Sequence, residues 1–435
     1  MPTVLLIGTL DTKGPETAYL RNRLQKLGCQ TLVLDSGILG EAQGIEPDID
    51  RRVVARAAGS TIEALRNAGT RGEAVGEMLR GVRKIGLDLY RAGKIHGVAS
   101  LGGAEGAVLA AAAMKELPIG VPKLIVSPLA SGHRRFGPFV GTKDILVMHS
   151  VVDILGLNKV SLEVFDNAAA AVAGMAAAYE KKAAQRSASP GQSLQSPPLE
   201  RAQKGRSIAA TMLGNTTRPL MRIKPQLEDR DFEFVIFHAN GVGGPAMEEL
   251  IIQGLFDGVI DYTLSEVAGQ VAGGFHVGGP ARLDAAAKQG LPQVVVPGCL
   301  DFVVFGARHE VPEKFRGRPT YYHNPEFTLV RVTRNEQLEA AQFVAQKLKV
   351  ARGPVSLLVP LRGGSIMDKE GGAFWDPETN RLCNEVLRGG IGARVKYREV
   401  DAHINDDVFA DAVLEEMLAL MENSSNADFG MRNAE

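Results

Sequence analysis

Three turns in the first half of the chain carry residue types that bind anions. Gly8-Thr9-Leu10-Asp11-Thr12-Lys13-Gly14 follows an apolar run and precedes a helical pattern beginning near Pro15 or Glu16. A strand–turn–helix junction presents free backbone N–H groups and the positive end of a helix dipole, which suits a phosphate. Thr9 and Thr12 add hydroxyl donors and Lys13 a point charge, although the G-x-x-x-x-G-K-[ST] order of a P-loop is absent. An ordinary capped turn uses the same residues. In Leu101-Gly102-Gly103-Ala104-Glu105-Gly106 the paired glycines let backbone approach a pyrophosphate with no Cβ in the way. Ser127-Pro128-Leu129-Ala130-Ser131-Gly132-His133 is the third turn, with His133 a candidate acid–base group, although a lone loop histidine is usually not catalytic. Asp35 stands where an acidic residue meets a ribose hydroxyl in a dinucleotide fold, or else simply begins the Ser36-Gly37 turn. Asp48 and Arg71 are further polar candidates on the connection that follows.

In the second half, histidines and carboxylates again fall on turns. His238 precedes Gly241-Val242-Gly243-Gly244-Pro245, and Glu248 lies on the helix entered there. Asp301 follows Pro297-Gly298-Cys299-Leu300, and His403 lies in Asp401-Ala402-His403-Ile404-Asn405-Asp406. His238, Glu248, Asp301 and His403 therefore form a candidate acid–base set around an anionic substrate, with Arg282 or Arg362 as its clamp. Cys299 has the position of a nucleophile, but a buried, inert thiol reads equally from the sequence and is the more common case. No H-E-x-x-H and no paired C-x-x-C occurs, so no metal site is predicted.

The elements that position these turns alternate. Strands are predicted at Thr3–Ile7, Thr31–Leu34, Gly97–Ser100, Lys123–Val126 and Ile145–Met148, with helices at Glu16–Leu27, Gly72–Arg91, Gly106–Glu116 and Val164–Lys181. After a Ser-, Gln- and Pro-rich stretch the alternation resumes, with strands at Ser207–Met212, Phe234–Phe237, Gly258–Tyr262, Gln293–Val296, Thr328–Val330 and Val355–Val359. Helices there are predicted at Pro245–Gln253, Ala281–Gln289, Asn335–Leu348 and Asp407–Glu422. This is the grammar of βαβ units. The expected fold is α/β, two Rossmann-like domains with mainly parallel sheets and a ligand cleft between them. Residues 1–182 form the nucleotide-binding domain, 183–206 a flexible linker, 207–422 the second domain and 423–435 a frayed tail.

Composition narrows the function classes. A formal net charge of −1 provides no global field for nucleic acid or an anionic membrane. Three scattered cysteines fit reduced thiols in a cytoplasmic protein. The apolar start Val4-Leu5-Leu6-Ile7 lacks a basic n-region and reads as a strand, not a signal peptide. The alanine-rich stretch Ala168–Tyr179 is too short to span a bilayer. The 49 glycines in 435 residues exceed the usual share of about 7% and cluster after apolar runs.

Taken together, these segments resemble a family of uncharacterised bacterial and plant proteins related to the N-terminal, ATP-binding inhibitory domain of the tomato mosaic virus resistance protein. The resemblance runs from Gly8-Thr9-Leu10-Asp11-Thr12-Lys13 through Leu117-Pro118-Ile119-Gly120-Val121-Pro122-Lys123 and Ser150-Val151-Val152-Asp153-Ile154. It continues in His238-Ala239-Asn240-Gly241-Val242-Gly243-Gly244-Pro245-Ala246-Met247-Glu248 and ends on His403-Ile404-Asn405-Asp406. It implies two α/β subdomains, ATP in the first, and self-association into a dimer or higher homo-oligomer. The ATP contacts it implies are Asp11, Thr12, Lys13, Asp48, Arg71, Gly102, Gly103, Ala104 and Glu105. Many relatives carry Gly-Gly-Ser-Gly-Gly-Thr at the second turn; the carboxylate of Glu105 beside a triphosphate would need Mg2+ or Lys13 to offset it.

The leading expectation is an ATP-binding cytoplasmic enzyme acting on a small anionic substrate in the second domain. The alternative is a non-catalytic, ATP-dependent binding or regulatory protein. A nicotinamide-dependent oxidoreductase ranks lower, because no complete G-x-G-x-x-G follows the first strand.

Overall fold

The computed structural model describes residues 1–68, 71–130, 137–187, 205–324 and 327–432. The chain divides into two compact units, Met1–Leu199 and Glu200–Glu435. Most of the expected linker, and His133, fall outside the described residues.

In the first unit β1 (Thr3–Gly8), β2 (Gln30–Asp35), β3 (Gly97–Leu101), β4 (Lys123–Ser127) and β5 (Leu146–His149) form a parallel sheet in the order β2-β1-β3-β4-β5. The helices are α1 (Leu10–Lys26), α2 (Arg51–Ala57), α3 (Ile62–Arg66), α4 (Arg71–Arg91), α5 (Ala104–Glu116), α6 (Gly137–Val140) and α7 (Lys159–Ser187). Both faces of the sheet are covered, which is why its strands read as unbroken apolar runs. Leu5, Ile7, Val98 and Ile125 pack against Val54, Met78, Val82, Leu109 and Met114 of α2, α4 and α5. Val4, Leu6, Val33, Leu124 and Val126 face the opposite way, toward Leu20 and Leu24 of α1 and toward α7.

By length and composition alone α7 could cross a membrane. Its Phe165, Ala168, Ala169, Val172, Ala173 and Ala176 recur at helical spacing, and all are buried in the core of this unit.

In the second unit β6 (Arg206–Met212), β7 (Phe232–His238), β8 (Gly258–Asp261) and β9 (Gln293–Val295) belong to a six-stranded sheet. Its order is β14-β13-β9-β8-β6-β7, all parallel, with β13 (Val355–Pro360) and β14 (Val395–Val400). Between β9 and β13 the chain detours through an antiparallel sheet of β10 (Phe302–Phe305), β11 (Thr320–Asn324) and β12 (Phe327–Arg331). The helices are α8 (Thr217–Glu228), α9 (Gly243–Ile252), α10 (Ser265–Ala272), α11 (Asp284–Gln289), α12 (Arg334–Lys349), α13 (Pro377–Gly390) and α14 (Asp407–Arg432). One face of the large sheet packs on α8 and α14 through Leu220, Ile223, Phe409, Val413 and Met417. The other packs on α10, α12 and α13 through Val267, Val344, Leu348 and Leu387.

The expected doubly wound α/β architecture is present in both units. Several elements lie where the sequence predicted none: β10, β11 and β14, and helices α2, α3, α8, α10 and α13. The segment 183–187 continues α7, and β6 already includes Arg206. The tail expected to fray from Asn423 is helical to Arg432, with no proline or glycine before Gly430 to stop it.

Candidate functional site

In an open parallel sheet, ligands gather outside the carboxyl ends of the strands, where the strand order reverses. In the first unit that point lies between β1 and β3. The two glycine turns emerge there side by side: a Cβ on Gly106 would lie 3.9 Å from Thr9 Oγ1. Helix α5 begins at Ala104 with Gly103 as its N-cap and no side-chain cap hydrogen bond, so its first N–H groups are left for another acceptor. A Cβ on Gly103 would meet nothing within 4 Å. Thr9 and Thr12 bring their hydroxyls to 3.1 Å from each other beside this opening.

The remaining residues of the first turn are tied down. Lys13 sits at a non-helical kink (φ −125°) near the start of α1, and its Nζ donates to the Ile154 carbonyl. Asp11 Oδ2 accepts the Gly40 N–H at 3.1 Å. Gly14 must be glycine, because a Cβ there would lie 1.7 Å from the Gln43 carbonyl oxygen. Asp35 does not face outward to a ribose. It is buried, and its Oδ1 accepts N–H groups from Leu10 (3.1 Å) and Gly37 (2.8 Å). Desolvation raises its carboxyl to about 6, against the opposing pull of those two hydrogen bonds and of Arg51.

Asp48 Oδ2 accepts the Val33 N–H of edge strand β2 at 2.8 Å, and the next residue, Ile49, bridges Leu34 near the carboxyl end of that strand. Arg71 opens α4, and Ala104 and Glu105 open α5. The structure thus brings together the 9–13 and 102–105 segments.

In the second unit two cavities meet at Gly214 and Asn215, just beyond β6. One, of about 810 Å³, is lined by Arg218, Arg362, Lys369, Trp375 and His403 among others. The other, of about 410 Å³, holds His238, His276 and Asn240 between apolar walls that include Phe275, Phe327 and Leu329. Burial, reinforced by the neighbouring His238, pushes His276 down to about 4, and its Nδ1 has no hydrogen-bond partner. It is a neutral imidazole at pH 7. Arg362 forms a two-pronged pair with Asp401 at 2.8 Å, and Arg218 pairs with Asp407 at 3.1 Å.

The candidate acid–base set is not one constellation. Of its four members, only His238 and His403 line these cavities. His403 Nε2 lies 2.8 Å from the Ser365 carbonyl, which can only accept, so the ring proton is assigned to Nε2. Its Nδ1 then accepts the Asn405 N–H at 3.2 Å. Both nitrogens are therefore engaged in fastening the 401–406 turn.

Glu248 is structural. It accepts the N–H groups of Leu283 (2.6 Å) and Ala285 (2.7 Å) and contacts Arg282 Nη1 at 3.2 Å. Arg282, fully buried, also grips Asp261 through two hydrogen bonds (2.6 and 2.7 Å) and Glu266 through Nε (2.9 Å). Four of its five N–H donors are thus committed to buried carboxylates, and the fully buried side chain is not a substrate clamp.

Asp301 is likewise interior. Its Oδ2 accepts from Ser365 Oγ at 2.7 Å, and burial together with Asp368 raises its carboxyl. Cys299 is fully buried, and desolvation beside Asp301 and Asp368 holds its thiol well above the usual range, which removes it as a nucleophile.

Asn215, Arg218, Lys369 and Trp375 were not singled out from the sequence. One signal was available: Leu213-Gly214-Asn215-Thr216 follows the first strand of its domain, the same position as Gly8–Lys13. Among the described residues, no group of three or more His, Cys, Asp or Glu side chains is placed to hold a metal ion.

Comparison with known proteins gives matches over both units. The N-terminal domain of the Uncharacterised protein family (UPF0261) matches residues 2–181, and its C-terminal domain matches residues 205–421. A UPF0261 protein of Clostridium tetani is 40% identical over 422 residues, 96% of this chain and 99% of that protein. The ToMV resistance protein Tm-1(GCR237) of Solanum lycopersicum is 35% identical over 334 residues, 76% of this chain and 42% of that protein. Among solved structures, UDP-GlcNAc 2-epimerase from Methanocaldococcus jannaschii aligns with 68% of this chain and 83% of its own, at 10% identity and a TM-score of 0.21.

Proposed function

The chain belongs to the uncharacterised protein family UPF0261, and from that premise we propose that it binds ATP at the switch point of its first domain and a small anion in the second. The observation that carries the first half is the convergence of the Thr9–Lys13 and Gly102–Glu105 turns beside the uncapped start of α5, with open space at Gly103. The phosphates would take backbone N–H groups of the second turn and the hydroxyls of Thr9 and Thr12. Lys13 would join by exchanging the Ile154 carbonyl for a phosphate oxygen, with Mg2+ as the counter-ion this reading expects. The second half rests on the cavity bordered by Arg218, Arg362 and Lys369.

Calorimetry with ATP tests the first half. A Cβ at Gly103 touches no protein atom, so Gly103→Val should fold with little change in melting temperature. It should still lose at least about 2 kcal/mol of ATP binding, the scale of lost charge-assisted hydrogen bonds. Undiminished affinity in the folded variant would sink this reading. For the second half, Trp375 is the single tryptophan and lines the cavity, so its fluorescence should change on titration with small carboxylates or phosphates.

The dispersal of Glu248, Asp301 and His403 favours a second reading, ATP bound but not consumed. If the protein is an enzyme, the acid–base work falls to His238 beside neutral His276. ATP turnover that disappears in His238→Gln supports the enzyme; binding that raises the melting temperature without turnover supports the regulatory protein.

Cytoplasmic residence and self-association belong to the same reading. Val151, Leu155 and Leu157 are 63%, 75% and 44% exposed and supply apolar surface for a second copy, which sedimentation at graded concentration would reveal.

A further inference from the structure

Three guanidinium groups meet at one carboxylate. Glu41 Oε1 is in ion-pair contact with Arg51, 3.9 Å from Arg52 Nη2 and 3.7 Å from Arg66 Nη2. The partners are unequal: the Arg51 side chain is 1% exposed and that of Glu41 71%. None of the Nε, Nη1 and Nη2 atoms of Arg51 makes a hydrogen bond. At the same end of β2, Ser36 Oγ is also buried without one. Asp35 lies close enough to feel the Arg51 charge but gives it no hydrogen bond, and its Oδ1 is held by the N–H groups of Leu10 and Gly37.

Burying a guanidinium is costly unless fixed acceptors meet its five donors. A single side chain swinging in solvent offsets little of that cost. A planar fork with two further arginines beside it matches a tetrahedral oxyanion far better than it matches Glu41.

We propose that Arg51, Arg52 and Arg66 form a site for a phosphoryl oxyanion, and that the Glu41 carboxylate is its resident substitute, displaced when the oxyanion arrives. The segment carrying Glu41 touches both this site and the first-domain turn. Gly40 N–H donates to Asp11 at 3.1 Å, Gln43 N–H to the Leu10 carbonyl at 3.0 Å, and Arg66 Nε to the Ile38 carbonyl at 2.9 Å. The phosphoryl group has two sources. It is either the terminal phosphate of a nucleotide held at that turn, which rests on the ATP reading, or a separate phosphate.

Calorimetry on the full chain at fixed ionic strength, with inorganic phosphate, AMP and ATP, tests the site. Glu41 is exposed, so Glu41→Gln should fold; Arg51→Met is checked by circular dichroism. Glu41→Gln should bind inorganic phosphate roughly fivefold tighter, the equivalent of losing one exposed ion pair, and Arg51→Met should lose it. If the nucleotide's own phosphate is the occupant, Glu41→Gln also tightens ATP and leaves AMP unchanged. If the phosphate is separate, inorganic phosphate still binds to ATP-saturated protein. No gain for either phosphate or ATP in folded Glu41→Gln overturns the site. Phosphate tightened while no nucleotide binds removes only the ATP reading.

Discussion

The two domains wind their parallel strands in the same order, β2-β1-β3-β4-β5 in one and β7-β6-β8-β9-β13-β14 in the other, yet they fill the crevice at the reversal differently. In the first, the crevice is edged by Thr9 and by Gly103, beyond whose Cα lies open space. In the second, Thr216 Oγ1 and Thr263 Oγ1 hydrogen-bond across it at 2.7 Å, both buried. Beside them Asp261 is held by Thr211 and Arg282. One domain leaves its switch point open at Gly103; the other closes it with its own polar groups, and its cavities open instead around Gly214 and Asn215. The same winding therefore does not imply the same use, and the identity of a few turn residues decides which occurs.

The strongest test of this contrast is Arg282→Ala, which leaves Asp261, Glu266 and Glu248 buried without their cation. We expect about 3–5 kcal/mol lost from the second domain in urea denaturation, with the first-domain transition unmoved. A loss under 1 kcal/mol would mean the ion cluster does not hold the second crevice shut.

Asp35 offers the next largest effect, on the first domain. Its folded pKa of about 6 lies above the ordinary 3.8, so folding takes up protons between those values. The sign follows: its contribution is complete below about pH 4 and is lost as pH rises through about 6, amounting to about 3 kcal/mol. Asp35→Asn should flatten that window in a pH series of denaturation curves; an unchanged slope would assign it to other groups.

Lys13→Ala should weaken ATP binding by about 1–3 kcal/mol without affecting any anion bound in the second domain. Equal losses at both sites would erase the distinction. The smallest effect concerns Asp401, whose pair with Arg362 lies fully in solvent and is screened there. Asp401→Asn should free Arg362 and modestly tighten anions read by Trp375 fluorescence, with no change in ATP affinity.

Much of the sheet architecture was legible in the sequence because strands covered on both faces must be apolar throughout, as in Val4-Leu5-Leu6-Ile7. The missed strands lack that signature or carry it over too few residues. In β14, Val-Lys-Tyr-Arg-Glu-Val lies at the sheet edge and keeps its charges in solvent. In β11, Tyr321 and Tyr322 are exposed, and β10 is only Phe-Val-Val-Phe. The site was half legible for a related reason. Glycine turns announce themselves locally, whereas whether Glu248 faces a substrate or caps α11 depends on Arg282, 34 residues on. Likewise Asp301 is committed by Ser365, 64 residues away, a contact that no local pattern encodes.

The buried thiols have one further consequence. Cys29 lies in the first domain and Cys299 and Cys383 in the second, all sealed from solvent. Burial raises each thiol, Cys383 to about 12, so little thiolate exists in the closed protein. An alkylating reagent can reach them only through transient opening, which makes Cys29 a clock for one domain and the other two a clock for its neighbour. A ligand bound in the first domain alone would slow the first clock and leave the second running at its own rate.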